Sequence, residues 1–236
     1  MKSPRCLALV AISVLVGCAA AGRLEESPSQ SEGKAMAPGE KSLPNDIYPD
    51  SRNRFPAIKR EDLSEEGKKV FDAFVAEPGR TGLSGPMGIR MYNPTVAHHL
   101  HEANQFLRRL SDLPPGLAEL AILVIARAWN SQYEWVAHEP AALREGISQK
   151  TIDVVKYRRD VKGLEEKEAV IIQLGRELFE QKKVTSETFA RAVELFGRKG
   201  VVNITLLMGE YSSAAMILNL ADQQLEPDWW PLLPIP

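Results

Sequence analysis

Residues 117–148 read LAELAILVIARAWNSQYEWVAHEPAALREGIS, and they spell two helices with different surroundings. The run LAILVIA at 120–126 is apolar at every position, so its helix has no stripe to offer water and must be buried on all sides. Residues 131–145 then bring polar groups back at helical spacing. Ser131, Glu134, Trp135 and His138 lie three, four and seven residues apart and are expected on one face. Pro140 is expected to bend this helix, Gly146 to end it, and Ser148 to cap a short helix that follows.

The same grammar extends in both directions. Ser64 can cap a helix that starts EEGKKVFDAFVAE, with Val70, Phe71 and Phe74 on one side. Residues 78–88, PGRTGLSGPMG, read as a loop by their glycines and prolines. Asn93 and Pro94 open a helix that runs to Arg109, and Asp112, Pro114 and Pro115 punctuate before the apolar run. Two further amphipathic helices are predicted at 165–181 and 186–198. A mostly apolar one follows at 201–221, interrupted by Glu210, Tyr211 and Asn219. No segment alternates with a period of two, so the fold is predicted to be all-α, with about seven helices.

Composition sets outer limits. The 236 residues are 44% hydrophobic and 25% charged, which suits one sizeable core. Basic and acidic residues number 29 and 31, and that balance argues against nucleic acid as a partner held by a basic surface. The chain opens MKSPRCLALVAISVLVGCAAAG: a short basic region, an apolar run too short to span a bilayer, then small residues. This is the layout of a signal peptide over 1–18. Leu15, Val16, Gly17 and Cys18 resemble a bacterial lipobox with Cys18 as the lipidated residue; cleavage after the alanines at 19–21 would instead release a soluble secreted chain. Lipidation implies a membrane tether, and Ala19 resembles outer-membrane sorting of an envelope lipoprotein. Residues 19–46 are rich in Ser, Pro, Gly, Glu and Lys and read as a flexible tether, with the domain at 47–236. Cys6 and Cys18 are the only cysteines, so 19–236 holds no thiol, disulfide or cysteine metal ligand.

Chemistry concentrates where the opening stretch turns polar. A carboxylate and an imidazole at i,i+4 can share a proton, which nominates Glu134 and His138 as an acid–base pair. Glu119, at the edge of the apolar run, is a second acid–base candidate if the two helices form a hairpin. Tyr133, Trp135 and Ser131 are candidate pocket residues, and Arg127 is a candidate for a substrate carboxylate. Each has a plainer role available as a surface pair, a core aromatic or a helix-end cation. One histidine with scattered carboxylates is a poor zinc site, so no metal and no cofactor are expected. His98, His99 and His101 read as surface or packing residues, with 98 and 101 on one face and 99 pointing away.

This stretch resembles the core motif of the carboxymuconolactone decarboxylase family, which includes the alkylhydroperoxidase D (AhpD-like) group. The peroxidase pattern there is Glu, then Cys-x-x-Cys, then His four residues after the second Cys. Glu119, Ser131, Glu134 and His138 match that register, with Ser and Glu in place of the two cysteines. The sequence YEW followed by His138 is similar to the cysteine-free, decarboxylase-like branch. A looser likeness runs from about Gly85 to Asn219 and takes in the ELAIL run and GEYSSAAMILN at 209–219.

The resemblance implies a helical fold, a homo-oligomer (trimer or hexamer), and lyase or isomerase chemistry on a small carboxylated lactone or related organic acid. Thiol peroxidase chemistry is excluded for a chain without thiols at 19–236. The rival expectation is a non-catalytic envelope lipoprotein that binds a small ligand or serves as an oligomeric scaffold. A concave pocket around His138 favours the enzyme, and a filled core or an open surface pair favours the scaffold. The apolar tail from Asp228, DWWPLLP, is expected at a subunit interface, over a pocket as a lid, or on its own domain.

Overall fold

Eight α-helices carry the structure, a computed structural model that describes residues 43–77 and 82–235. The signal segment with Cys18, and tether residues 19–42, lie outside the described residues. Near the end of the expected tether, Asp46 pairs with Arg54 at 2.7 Å and Ile47 is buried.

Helix α1 (Glu65–Val75) starts where the Ser64 side chain accepts from the amide of Gly67. Helix α2 (Gly85–Arg90) lies partly inside the segment expected to be a loop. Ser84 is extended at its N-cap, and Pro86 occupies the first turn, where its missing N–H costs nothing. Helix α3 (Pro94–Gln105) is capped by Asn93 and continues as a π-helical turn, Phe106–Leu110.

The apolar run forms α4 (Pro115–Ala128), of which Gly116 to Ala126 are all buried. It packs against α5 (Gln132–Arg144), α7 (Glu166–Arg176) and α8 (Ser186–Ala221), so it is the axis around which the others are laid. Between them, α6 (Gln149–Lys156) is capped by Ser148, which accepts from the amide of Thr151.

The two helices expected at 186–198 and 201–221 are one element with a break: Gly197 has φ 66° and ψ 168°, a conformation that glycine adopts without cost. By length and composition α8 could cross a membrane, but half of its apolar window is buried, including Ile204, Leu207 and Met208 at the main core. Among the described residues there is no β-strand, only one isolated bridge between Tyr48 and Asn53. The tail packs on its own domain. Gln132 Oε1 accepts from the amides of Leu232 and Leu233, Gln132 Nε2 donates to the Leu233 carbonyl, and Leu233 is buried in the main core.

Candidate functional site

Helices α4 and α5 form the expected hairpin, and it brings Glu119 to His138. The imidazole Nδ1 lies 2.7 Å from Glu119 Oε2, and Nε2 lies 3.4 Å from Glu134 Oε2 one helical turn back. All three residues are buried. The other Glu119 oxygen accepts from Arg108 Nη2, so Glu119 is clamped between two cations at the rear of the site.

Burial by itself would pull the imidazole of His138 below its ordinary value. Hydrogen bonds to Glu119 and Glu134, and the charges behind them, outweigh that and leave it raised. Burial pushes Glu119 the other way, yet His138 and Arg108 bring it down to about 2. Both shifts favour the ion pair, imidazolium with carboxylate.

His138 and Glu134 open on a cavity of about 250 Å³. At about 30 Å³ per liquid water that is room for roughly eight waters, the bulk of a small organic acid. Its wall also carries Arg90 from α2, Asn104 from α3, Arg108 from the π turn, Tyr133 from α5, and Glu210 and Tyr211 from α8. The Tyr211 ring stands edge-on to His138 at 5.1 Å. Burial raises the hydroxyls of Tyr133 and Tyr211 well above the ordinary tyrosine value, so both keep their protons.

Arg90 Nη1 sits 2.8 Å from Glu210 Oε1, an ion pair without hydrogen-bond alignment, and Asn104 Nδ2 donates to Glu210 Oε2 at 2.9 Å. Arg90 Nε and Nη2, Arg108 Nε and Glu134 Oε1 are buried with no hydrogen-bond partner. Trp229 closes one side of the mouth, 5.0 Å from the Tyr133 ring, and Tyr133 Oη lies 3.4 Å from Glu226 Oε1. Gly85, at φ 58°, lets the chain pass under that ring, where a Cβ would come within 2.7 Å of it.

Three expected pocket residues lie elsewhere. Trp135 is fully buried away from the cavity, with Nε1 donating to Glu139 Oε2 at 2.5 Å and Lys156 Nζ 5.5 Å from its ring. One residue on from Glu134 is about 100° around a helix, enough to turn Trp135 into the core. Ser131 is the buried N-cap of α5; its carbonyl accepts from the amide of Trp135, and it does not line the cavity. Arg127 donates to the Lys156 carbonyl and to Asn130 Oδ1 in a different crevice. It follows Glu119 by eight residues, about 12 Å along the helix axis, which takes it out of reach.

Arg90, Arg108 and Asn104 carried no signal in the sequence, whereas Glu210 and Tyr211 did, as polar interruptions of an apolar helix.

The histidines of α3 divide differently from their expected faces. His98 and His99 bracket Glu102 at 3.5 and 3.4 Å, while His101 turns to the cavity wall and pairs with Glu77 at 2.5 Å. His98, His99 and Glu102 present ligand atoms within 4.8 Å of one another, all on exposed residues, and are the group that could hold a metal ion among the described residues. A second cavity of about 200 Å³, lined by Phe55, Ile58, Leu83, Ile89 and Tyr92 among others, has no carboxylate or imidazole on its wall.

No protein-family model matches the chain, and no curated protein matches it in sequence. Among solved structures it is similar to the alkylhydroperoxidase AhpD core of an uncharacterized peroxidase-related protein from Ralstonia eutropha JMP134. The TM-score is 0.61 at 13% identity, over 75% of this chain and 94% of that one. That likeness establishes an AhpD-like all-α fold.

Proposed function

We propose that the chain is a cofactor-free acid–base enzyme acting on a small carboxylated lactone or related organic acid, by decarboxylation or isomerisation. One observation carries the reading: an imidazole held between two buried carboxylates on the wall of a cavity of organic-acid size. A structural ion pair has no need of such a space beside it.

Loss of carbon dioxide from a carboxylate next to a carbonyl or vinylogous acceptor breaks a C–C bond and leaves its electron pair as an enolate. His138 Nε2–H protonates the carbon. The proton is regained from solvent by way of Glu134, so each turnover consumes one proton. In an isomerisation Glu134 removes a proton, His138 delivers one, and none is consumed. Glu119, behind the ring and low in pKa, is the group that holds His138 charged and oriented rather than a second proton carrier. Tyr211, which keeps its proton, lines the same wall and is the donor offered to the developing enolate oxygen, while Tyr133 has its hydroxyl turned to Glu226.

The proposal includes export and tethering through Cys18, supported by the residue pattern of 1–22. It includes self-association as well, for which the exposed apolar side chains Val202, Leu206, Met216 and Leu220 of α8 offer a surface.

The test is turnover of 4-carboxymuconolactone and related lactones by the full chain, against His138→Gln. Removing the proton donor is expected to cost about 10²- to 10⁴-fold in rate. A rate that His138→Gln leaves unchanged overturns the mechanism. Absence of turnover on every lactone overturns the enzyme reading and leaves a ligand-binding protein.

A further inference from the structure

Arg90 is the oddest residue of the cavity. It ends a short helix, its side chain is only 7% exposed, and just one edge of its guanidinium is engaged, by charge, with Glu210. Glu210 cannot turn its second oxygen to Arg90, because Asn104 holds that oxygen at 2.9 Å. The two nitrogens left without partners are Nε and Nη2. These two share one edge of the planar group, the edge whose parallel N–H bonds match the two oxygens of a carboxylate.

Charge on the surrounding elements points the same way. The charged or titratable groups facing the cavity or standing directly behind it are Glu119 on α4, Glu134 and His138 on α5, His101 on α3 with its partner Glu77, Arg108 after α3, Arg90 on α2 and Glu210 on α8. Glu119 serves both Arg108 and His138, and Glu134 serves His138 alone. Arg90 is thus the cation of the cavity with the most donor capacity unspent, and Arg108 Nε on the same wall adds one more open donor.

We propose that Arg90 is the carboxylate-binding residue of the site, taking on its Nε–Nη2 edge the carboxylate that the substrate retains, with Glu210 and Asn104 as the positioning residues that hold the guanidinium. The inference rests on the acid–base reading for what happens to the rest of the substrate. Recognition of the carboxylate needs no turnover. Neither nitrogen touches solvent, so the fork opens to a ligand by a swing of the guanidinium about its charge contact with Glu210.

The experiment is calorimetric titration of the full chain with 5-oxotetrahydrofuran-2-carboxylate, a saturated lactone acid, and with its uncharged methyl ester. The acid is expected to bind, and the ester to bind at least about tenfold more weakly. Arg90→Lys keeps a cation for Glu210 but has no fork, and is expected to weaken the acid at least about tenfold while leaving the ester unmoved. The paired variant Arg90→Met with Glu210→Met removes both charges at similar volume, guards against a folding artefact, and is expected to behave as the lysine variant does.

Equal affinity for acid and ester, acid binding that both variants leave intact, or no binding of the acid at roughly 10 mM each overturns the assignment. Arg90-dependent binding without His138-dependent turnover of any lactone sinks the acid–base reading and leaves the carboxylate site standing. Turnover that needs His138 but not Arg90 does the reverse.

Discussion

Replacing Glu119 with Gln is the sharpest perturbation of the site, because the structure fixes what the amide must do. Glu119 accepts from Arg108 Nη2 on one oxygen and faces His138 Nδ1, at 2.7 Å, with the other. A Gln has one acceptor oxygen and one NH₂. Arg108 can only donate, so the oxygen stays there and the NH₂ turns to His138. Nδ1 must then accept, which forces the neutral tautomer with its proton on Nε2. The bond to Nδ1 falls from a charge-assisted one of about 1.5–3 kcal/mol to a neutral one of about 0.5–1.5, while Arg108 keeps a charged donor on a neutral acceptor, a loss of roughly 1–2 kcal/mol in all. For a domain of this size that is a fall in Tm of about 2–8 °C.

The decisive assay is the ring titration of His138 by nitrogen-detected NMR. In the parent chain the imidazole is expected to stay protonated above the ordinary histidine value of 6.5. In Glu119→Gln one of its two supporting carboxylates is gone while burial is unchanged, so it is expected to titrate lower than in the parent chain. An unchanged His138 titration in a variant with a lowered Tm would refute the claim that Glu119 holds the proton, and with it the division of labour between the two carboxylates.

Glu119, depressed from 4.5, contributes stability above that pH and loses it as pH falls toward its folded value, while His138, raised from 6.5, contributes below that pH and loses it as pH rises through its folded value. The cluster therefore stabilises most between those two ordinary values, and a pH series of denaturant midpoints that rises steadily from 5 to 8 would contradict this. Gly175→Ala is expected to destabilise by about 1–3 kcal/mol despite a gain of up to about 1 in helix propensity, since a Cβ would stand 2.4 Å from Val124 Cγ1; urea midpoints decide it. Gln132→Ala removes all three side-chain bonds that seat Leu232 and Leu233, and is expected to speed amide exchange at those two residues while α4 amides keep their protection.

The sequence made the frame of this molecule legible wherever one residue pattern had one physical outcome. An unbroken apolar run has to be a buried helix, and α4 is one. Ser64 and Ser148 cap as their positions demand. Glu134 and His138 meet because i,i+4 neighbours on a helix share a face. Legibility stopped where a contact depends on which elements pack together. Arg90 ends a helix that begins inside a segment whose glycines and prolines spell a loop, and only tertiary packing carries it to Glu210 of α8. Trp135 shows the limit of face assignment: a 100° step is small on a helical wheel and yet separates a cavity from a core.

The same packing explains why Ser131 and Glu134 can stand where the peroxidase motif has cysteines and still leave a coherent site. In the register that resembles the peroxidase motif, Ser131 takes the first cysteine position and Glu134 the second. Ser131 is shut away at the N-cap of α5, out of contact with the cavity, so nothing there asks for a nucleophile. Glu134 faces the cavity and His138 together, with one buried oxygen unpartnered. A carboxylate at that position places a second negative charge against the imidazole. The raised pKa of His138 is the direct physical result, because Glu119 and Glu134 now support the imidazolium from both ring nitrogens. Under the proposed reading, a site whose charges are already arranged around a proton requires only a substrate that places carbon within reach of Nε2.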